Sequence, residues 1–263
     1  GQLATGTESA LRGCGMNSVD LDPVPDHVLG LIVLSTDETL ENEARLMLGQ
    51  QPVRLHHSRI YSKDDVTPTA LAEMRARIAQ SAALLPESVS AVGYGCTSAS
   101  VVIGTDAVAA QVCEGRPGVA VTNPISAVSA ALNHLGVCRI GLVTPYLAEV
   151  VAPMRAHLTD HGIEVIREVS FGEADDRRVA RIPEAATAAA ARQVAEGADA
   201  LFLSCTNLRT LNVIKDLERD LDVPVISSNL ALIWHLLQLS GLDTSGWGIS
   251  RLIETEDSLA QTA

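Results

Sequence analysis

Short apolar runs alternate along this chain with stretches whose apolar residues recur at helical spacing. Eight runs predict strands, at residues 28–35, 53–57, 90–96, 118–122, 139–144, 163–170, 200–205 and 223–227. They are rich in β-branched residues and largely uninterrupted by polar ones, the pattern of strands buried on both faces. Helical patterns lie between them. Thr67 followed by Pro68 is a start signal, a capping hydroxyl and then proline at the first helical position. Leu71, Met74, Ile78 and Leu85 then fall roughly on one face. Pro183 opens a second, alanine-rich helix that Gly197 is expected to stop. Alternating β and α segments imply right-handed crossovers and parallel sheets. Residues 1–20 carry Gly, Ser and Thr without periodicity, so 1–25 read as a flexible leader. Met16 is a candidate natural start, and order is expected from about Asp26.

The chain also repeats itself. Gly30-Leu-Ile-Val-Leu-Ser resembles Gly141-Leu-Val-Thr-Pro, and Val92-Gly-Tyr-Gly-Cys96-Thr97 resembles Leu201-Phe-Leu-Ser-Cys205-Thr206. Gly118-Val-Ala-Val-Thr-Asn123 resembles Val223-Pro-Val-Ile-Ser-Ser-Asn229, and Leu135-Gly136 resembles Ser240-Gly241. Position 30 matches 141, 96 matches 205, 123 matches 229 and 136 matches 241, so the offset stays between 105 and 111 residues. Four matches in one order at one offset predict two copies of a four-stranded βα unit, each the size of a small domain. The repeat puts two Cys-Thr pairs at equivalent strand ends, each expected to precede a helix. Ligands of open α/β sheets bind outside the carboxyl ends of strands. Two facing lobes would therefore bring Cys96 and Cys205 to one cleft.

Composition narrows the partners. A formal charge of −13 repels nucleic acid and anionic membranes. No apolar run approaches the length of a membrane span, and residues 1–20 lack a basic start followed by an apolar block. A cytoplasmic protein is the expectation, and a homo-oligomer is left open. Five cysteines, an odd and widely spaced set without a CxxC pair, argue against a disulfide framework and against structural zinc. Only Lys63 and Lys215 could form a Schiff base, neither in a pocket-forming motif, and no nucleotide-binding glycine motif follows a strand. No cofactor and no metal is expected.

A small acid held between two thiols meets an acid on one face and a base on the other. One thiolate can remove a proton from the carbon next to a carboxylate while the opposite thiol returns one, which racemises that carbon. Alternatively a thiolate adds to an activated double bond, allows rotation and leaves. The reference thiol pKa of about 8.5 is lowered by helix N-termini and nearby donors. Thr97, Ser98 and Ser100 after one cysteine, and Thr206 and Asn207 after the other, could hold a carboxylate and its enediolate-like intermediate. Cys14, Cys113 and Cys138 have no such setting and read as inert small apolar residues.

Tyr94-Gly-Cys96-Thr-Ser-Ala-Ser and Ser204-Cys205-Thr-Asn-Leu-Arg resemble the paired cysteine motifs of the aspartate/glutamate racemase superfamily, nearest its branch of maleate cis–trans isomerases and arylmalonate decarboxylases. Thr144-Pro145-Tyr146 matches that branch's tyrosine motif, and Gly30-Leu-Ile-Val-Leu-Ser-Thr-Asp37 its opening strand and loop. The resemblance spans roughly 28–241. It implies a cofactor-independent α/β enzyme of two pseudo-symmetric Rossmann-like lobes, each with a four-stranded parallel sheet flanked by helices and the active site in the cleft between them. It also implies that the strand after each cysteine motif joins the other lobe, which makes 26–115 with 223–263 the first lobe and 116–222 the second. Cys96 and Cys205 carry over as catalytic, and Thr97, Ser98, Thr206 and Tyr146 as carboxylate-binding.

Two departures bear on substrate. Decarboxylases of this branch have a small residue where this chain has Cys96, which argues against decarboxylation. The maleate isomerases have asparagines where Asp37 and Asp175-Asp176 stand here. A carboxylate repels a bound diacid and pairs with an amine, so Asp37, Asp176 and Asn207 are taken as substrate-binding, with Asp37 equally suited to capping the next helix. These features resemble the racemase-like proteins of ectoine breakdown. The leading expectation is a racemase acting next to the carboxylate of a small amino acid or its derivative. The alternative is a maleate-type cis–trans isomerase with one cysteine as nucleophile; decarboxylation and non-catalytic small-molecule binding stand behind both. Arg54, Arg59, Arg177, Arg178 and Arg209 are candidate anchors for a distal carboxylate.

Overall fold

The computed structural model describes residues 19–254; Cys14 and Met16 lie outside the described residues. The first half comprises β1 (Val28–Leu34), α1 (Leu40–Leu48), β2 (Arg54–Ile60), α2 (Pro68–Glu73), α3 (Arg75–Ala83), β3 (Ala91–Gly95), α4 (Thr97–Ile103), α5 (Thr105–Gly115), β4 (Ala120–Thr122) and α6 (Pro124–Leu135). The second comprises β5 (Arg139–Thr144), α7 (Ala148–Asp160), β6 (Glu164–Ser170), α8 (Asp176–Val179), α9 (Glu184–Gln193), β7 (Ala200–Leu203), α10 (Leu211–Leu221), β8 (Val225–Ser227), α11 (Ser228–Leu239) and α12 (Arg251–Glu254). Two four-stranded sheets result, ordered β2-β1-β3-β4 and β6-β5-β7-β8, with every pairing parallel.

The expected strands all form, but their patterns differ. β1, β3 and β7 are buried along their whole length. β2 (RLHHSRI) and β6 (EVIREVS) are half exposed, because each is an edge strand covered on fewer sides. The repeat has a packing cause at Gly30 and Gly141. A Cβ at Gly141 would stand 2.2 Å from the Val194 carbonyl oxygen, and one at Gly30 would stand 2.7 Å from Leu85 Cδ1. At Gly141 the neighbouring backbone leaves no room for a side chain, and at Gly30 the end of Leu85 would have to move to admit one. Thr67 caps α2 as expected, accepting the Ala70 amide, whereas the alanine-rich helix after Pro183 ends at Gln193, before Gly197.

The expected strand exchange is corrected. β4 stays with β3 and β8 with β7, so 120–122 belongs to the first sheet and 225–227 to the second. What crosses is a helix: α11 lies over the first sheet, with Leu232 and Leu236 against Gly93 of β3. The boundary at 223 therefore falls before a strand of the second sheet. The tail of the described chain also returns to that side, where the Arg251 amide donates to Glu218 of α10 (3.0 Å).

Candidate active site

The carboxyl ends of the central strands face one another across the two sheets. β3 ends one residue before Cys96 and β7 two residues before Cys205; β1 runs into Thr36-Asp37, and β5 into Pro145-Tyr146. Cys96, Thr97, Ser98, Tyr146, Asp176, Cys205 and Thr206 line a single cavity. Its opposite wall is Val66, Ala70, Leu71 and Met74, with Ser62, Lys63 and Asp65 at the margin. The enclosed space of ≈ 20 Å³ is room for about one water molecule. Residues 62–74 form one side of this cavity. That segment is clasped to residues 174–176 by the Val66 amide on the Ala174 carbonyl (2.8 Å) and the Asp176 amide on the Asp64 carbonyl (2.9 Å), with Arg177 paired to Asp64.

Both thiols are buried. The Cys96 sulfur accepts the Ala99 amide (3.4 Å) at the N-terminus of α4 and lies 3.7 Å from the Ser98 hydroxyl. The Cys205 sulfur accepts the Asn207 amide (3.4 Å), and the Tyr146 hydroxyl nearby favours its charged form. These donors favour thiolate, as expected from the sequence, yet they do not prevail. Burial pushes Cys96 up to about 12 and Cys205 well above its ordinary value, with the charges of Asp176 and Asp37 adding to both. Burial thus outweighs the donors at both sulfurs and favours the protonated thiols.

Other expected site residues divide into those that line the cavity and those that hold its frame. Thr97 and Thr206 line it, but each hydroxyl spans the lobes, Thr97 donating to Ser228 Oγ (2.8 Å) and Thr206 to the Gly95 carbonyl (3.3 Å). Asn207 lies behind the cavity. Its Nδ2 donates to the Thr36 and Asp176 carbonyls (3.3 and 2.9 Å), and its Oδ1 accepts the Glu38 amide (2.9 Å). Asp37 also sits behind the lining, where Oδ1 accepts the Thr39 and Leu40 amides (2.8 Å each) at the entry of α1. Its Oδ2 is buried without a hydrogen-bond partner. Burial, with Asp176 nearby, raises Asp37 to about 7 against the pull of those two amides. Asp176 accepts the Thr36 hydroxyl (2.6 Å) and is also raised, chiefly by burial.

Several expectations fall elsewhere. Arg59 reaches the Leu34 and Asp37 carbonyls and Glu41, Arg178 pairs with Glu173, and Arg209 donates to the Ile182 carbonyl. None of the five candidate arginines lines the cavity. Cys113 and Cys138 are exposed free thiols away from the cavity. Cys205 is not followed directly by a helix; a turn intervenes until α10 begins at Leu211, because Asn207 is drawn toward the first lobe by its three hydrogen bonds. Sequence reading missed the apolar wall from 66 to 74, whose residues at helical spacing resemble ordinary core. It also missed Ser228 and Glu43.

Two facing α/β lobes thus each bring a thiol to one cavity. The chain belongs to the arylmalonate decarboxylase family, whose model matches residues 29–253. It is 28% identical over 246 residues to a maleate isomerase of Nocardia farcinica, covering 88% of this chain and 97% of that protein. It is 33% identical over 127 residues to an arylmalonate decarboxylase of Bordetella bronchiseptica, covering 47% and 53%. Among solved structures it resembles the Nocardia farcinica maleate cis–trans isomerase in a cysteine-to-serine mutant with a covalently bound succinylcysteine intermediate. That likeness has a TM-score of 0.81 at 26% identity and covers 88% of this chain and 99% of that one. By this kinship the chain is an isomerase. Among the described residues, no helix is long and apolar enough to cross a membrane.

Proposed function

We propose that the protein is a cofactor-independent cysteine isomerase of a small unsaturated carboxylate, working by maleate-type cis–trans isomerisation. The observation that carries this reading is the placement of Cys96 and Cys205 on one cavity with Tyr146. The full-length likeness to maleate isomerases moves this chemistry ahead of racemisation. Cys96 is the nucleophile, because a helix N-terminal amide and a hydroxyl favour its thiolate. Burial holds it protonated, so its proton passes to solvent or to a substrate carboxylate before the sulfur adds, and returns to it when the sulfur leaves. The thiolate then bonds to one alkene carbon, and the π pair moves to the other, where Cys205 delivers a proton. The single bond rotates and turns that carbon's original hydrogen toward Cys205, whose thiolate takes it as a proton, and the Cys96 sulfur leaves with its bonding pair as the double bond re-forms. Nothing is oxidised and no proton is consumed.

Racemisation of a small amino acid or derivative is the second reading, and Asp37 with Asp176 favours it. Two buried carboxylates adjoin a cavity whose one lining cation, Lys63, is paired with Glu73 (2.7 Å). A substrate ammonium would supply the positive charge they lack. Proton NMR in D2O separates the readings, with maleate and both enantiomers of aspartate, glutamate and acetylated diaminobutyrate as the panel. Conversion of maleate to fumarate, lost in Cys96→Ser and Cys205→Ser, is the expected result. Thiol-dependent deuterium entry at an α-carbon with loss of optical purity, and no fumarate, would replace it with the racemase.

A further inference from the structure

β8 ends at Ser227, and α11 begins at Ser228. This junction is where the chain leaves the second sheet and passes over the first. Ser228 is fully buried, and its hydroxyl oxygen accepts two hydrogen bonds. One comes from the Cys205 amide (3.0 Å), the other from the Thr97 hydroxyl (2.8 Å). Thr97 directly follows Cys96, so one oxygen is bonded to both cysteine motifs. It is not needed as the helix cap, since the Ser227 hydroxyl already accepts the Leu230 amide (3.0 Å).

Cys205 needs such a partner. Its φ is 113°, a left-handed backbone that a side chain rarely adopts and that persists only where the surroundings over-determine it. Its amide is buried and has Ser228 as its acceptor. The next residue supports the same loop. Asn229 Nδ2 donates to the Thr206 carbonyl (2.9 Å) and to Glu43 Oε2 (2.7 Å), while Glu43 Oε1 accepts the Thr210 and Leu211 amides (2.7 and 2.9 Å). In the other half, the Cys96 amide bonds locally to the Tyr94 carbonyl (3.0 Å), and Thr122, on the strand equivalent to β8, bonds to His235 (2.7 Å). The Ser228 tie thus has no counterpart at the equivalent position of the other half, and it stands beside the direct bond from the Thr206 hydroxyl to the Gly95 carbonyl.

We infer that Ser228 is a positioning residue that holds the strained backbone of Cys205 and registers it to the Cys96 motif, so that the two thiols meet a substrate from opposed faces. The inference rests on reading the two thiols as the reacting pair. The test is the iodoacetamide alkylation rate of each thiol in the full-length protein, followed by peptide mass spectrometry. Ser228→Ala is expected to speed Cys205 alkylation about tenfold, by local opening of its loop, and to leave Cys96 within about twofold. Ser228→Thr, which keeps the oxygen, is expected to restore the wild-type ratio. Equal change at both thiols, or none, would overturn the inference.

On any acid the wild type turns over, Ser228→Ala is expected to lower kcat about 10²-fold with KM within about threefold, because misplacement of a reacting group costs that much. If Ser228→Ala does not fold, Thr97→Val serves instead, since it severs the tie to the first motif and leaves the Cys205 amide bonded. It is expected to lower kcat about tenfold with Cys205 alkylation unchanged, and an unaltered kcat would sink the registering role. The alkylation arm needs no substrate, so its failure is distinguishable from failure of the isomerase reading.

Discussion

The two cysteine half-sites share the dipeptide Cys-Thr and an equivalent strand end, and they diverge from that point on. Cys96 has an extended backbone (φ −148°) and flows straight into α4, whose Ala99 amide caps its sulfur. Cys205 has a φ of 113° and is followed by a turn held by Asn207 and Glu43. Its sulfur accepts the Asn207 amide and has the Tyr146 hydroxyl nearby. Equivalent strand ends therefore carry two thiols in different surroundings, and the proposed mechanism uses that difference, with Cys96 at a helix N-terminus as nucleophile and Cys205 as proton partner.

The largest effect should come from removing each thiol in turn. Cys96→Ser and Cys205→Ser are each expected to lower kcat by about 10³-fold or more, since neither serine can do the work of a thiol. The variants should differ in what accumulates. Cys205→Ser retains the nucleophile but not the proton partner, so intact mass spectrometry should find an adduct of substrate mass on Cys96. Cys96→Ser should hold none. An adduct on Cys205 in Cys96→Ser, and none in the reverse variant, would exchange the roles.

Tyr146→Phe is the next test. It removes a hydroxyl of a cavity-lining residue that favours the charged form of Cys205. Loss of one aimed donor costs about 10²–10³ in kcat, and the effect should fall on proton exchange rather than on adduct formation at Cys96. Stopped-flow measurement of adduct formation against turnover would separate these steps. Equal loss in both would assign Tyr146 to substrate binding in general.

The site was partly legible in the sequence. A repeat that returns Cys-Thr at one offset locates both thiols, because strand ends in parallel sheets carry the ligand-facing residues. Sheet partnership was not legible. Alternating β and α segments state that strands are parallel, but not that β8 stays with β7 while α11 crosses. Thiol ionisation was not legible either, for it is decided by how much water burial removes, and the same Ala99 amide would win in an open cleft. Ser228 was hidden because a serine at a helix start reads as a cap. The apolar wall was hidden because Leu71 and Met74 have the spacing of a core face.

Asp37 sharpens the comparison through pH. The opening loop that carries it belongs to the Cys96 side, and Asp176 faces it from the other. Its carboxyl is raised from 3.8 to about 7 by burial. The folded protein thus retains a proton that the unfolded chain releases near pH 4. The stabilisation linked to that proton is complete below about pH 4, falls as pH rises through about 7, and is then lost. A shift of this size corresponds to about 3–5 kcal/mol across that window. Denaturant titrations at pH 4.5 and 8 should show the slope, and Asp37→Asn, which keeps the helix-entry acceptor, should flatten it. An unchanged slope in Asp37→Asn would place the titration on Asp176 or Glu43.

The smallest effect probes the two bridging hydroxyls. Thr97 donates to Ser228 at 2.8 Å and Thr206 to the Gly95 carbonyl at 3.3 Å. Valine is close to isosteric with threonine and removes only the hydroxyl. Each replacement leaves an acceptor, but of different need. Ser228 Oγ still holds the Cys205 amide, whereas the Gly95 carbonyl belongs to the first motif's backbone. The shorter bond should contribute more, so Thr97→Val is expected to cost about 1–2 kcal/mol and Thr206→Val about 1 kcal/mol or less. Equilibrium unfolding in urea would measure both. If the order is reversed, the lobes are joined mainly through the second motif's grip on the first, and the crossing helix is a follower of that contact rather than its origin.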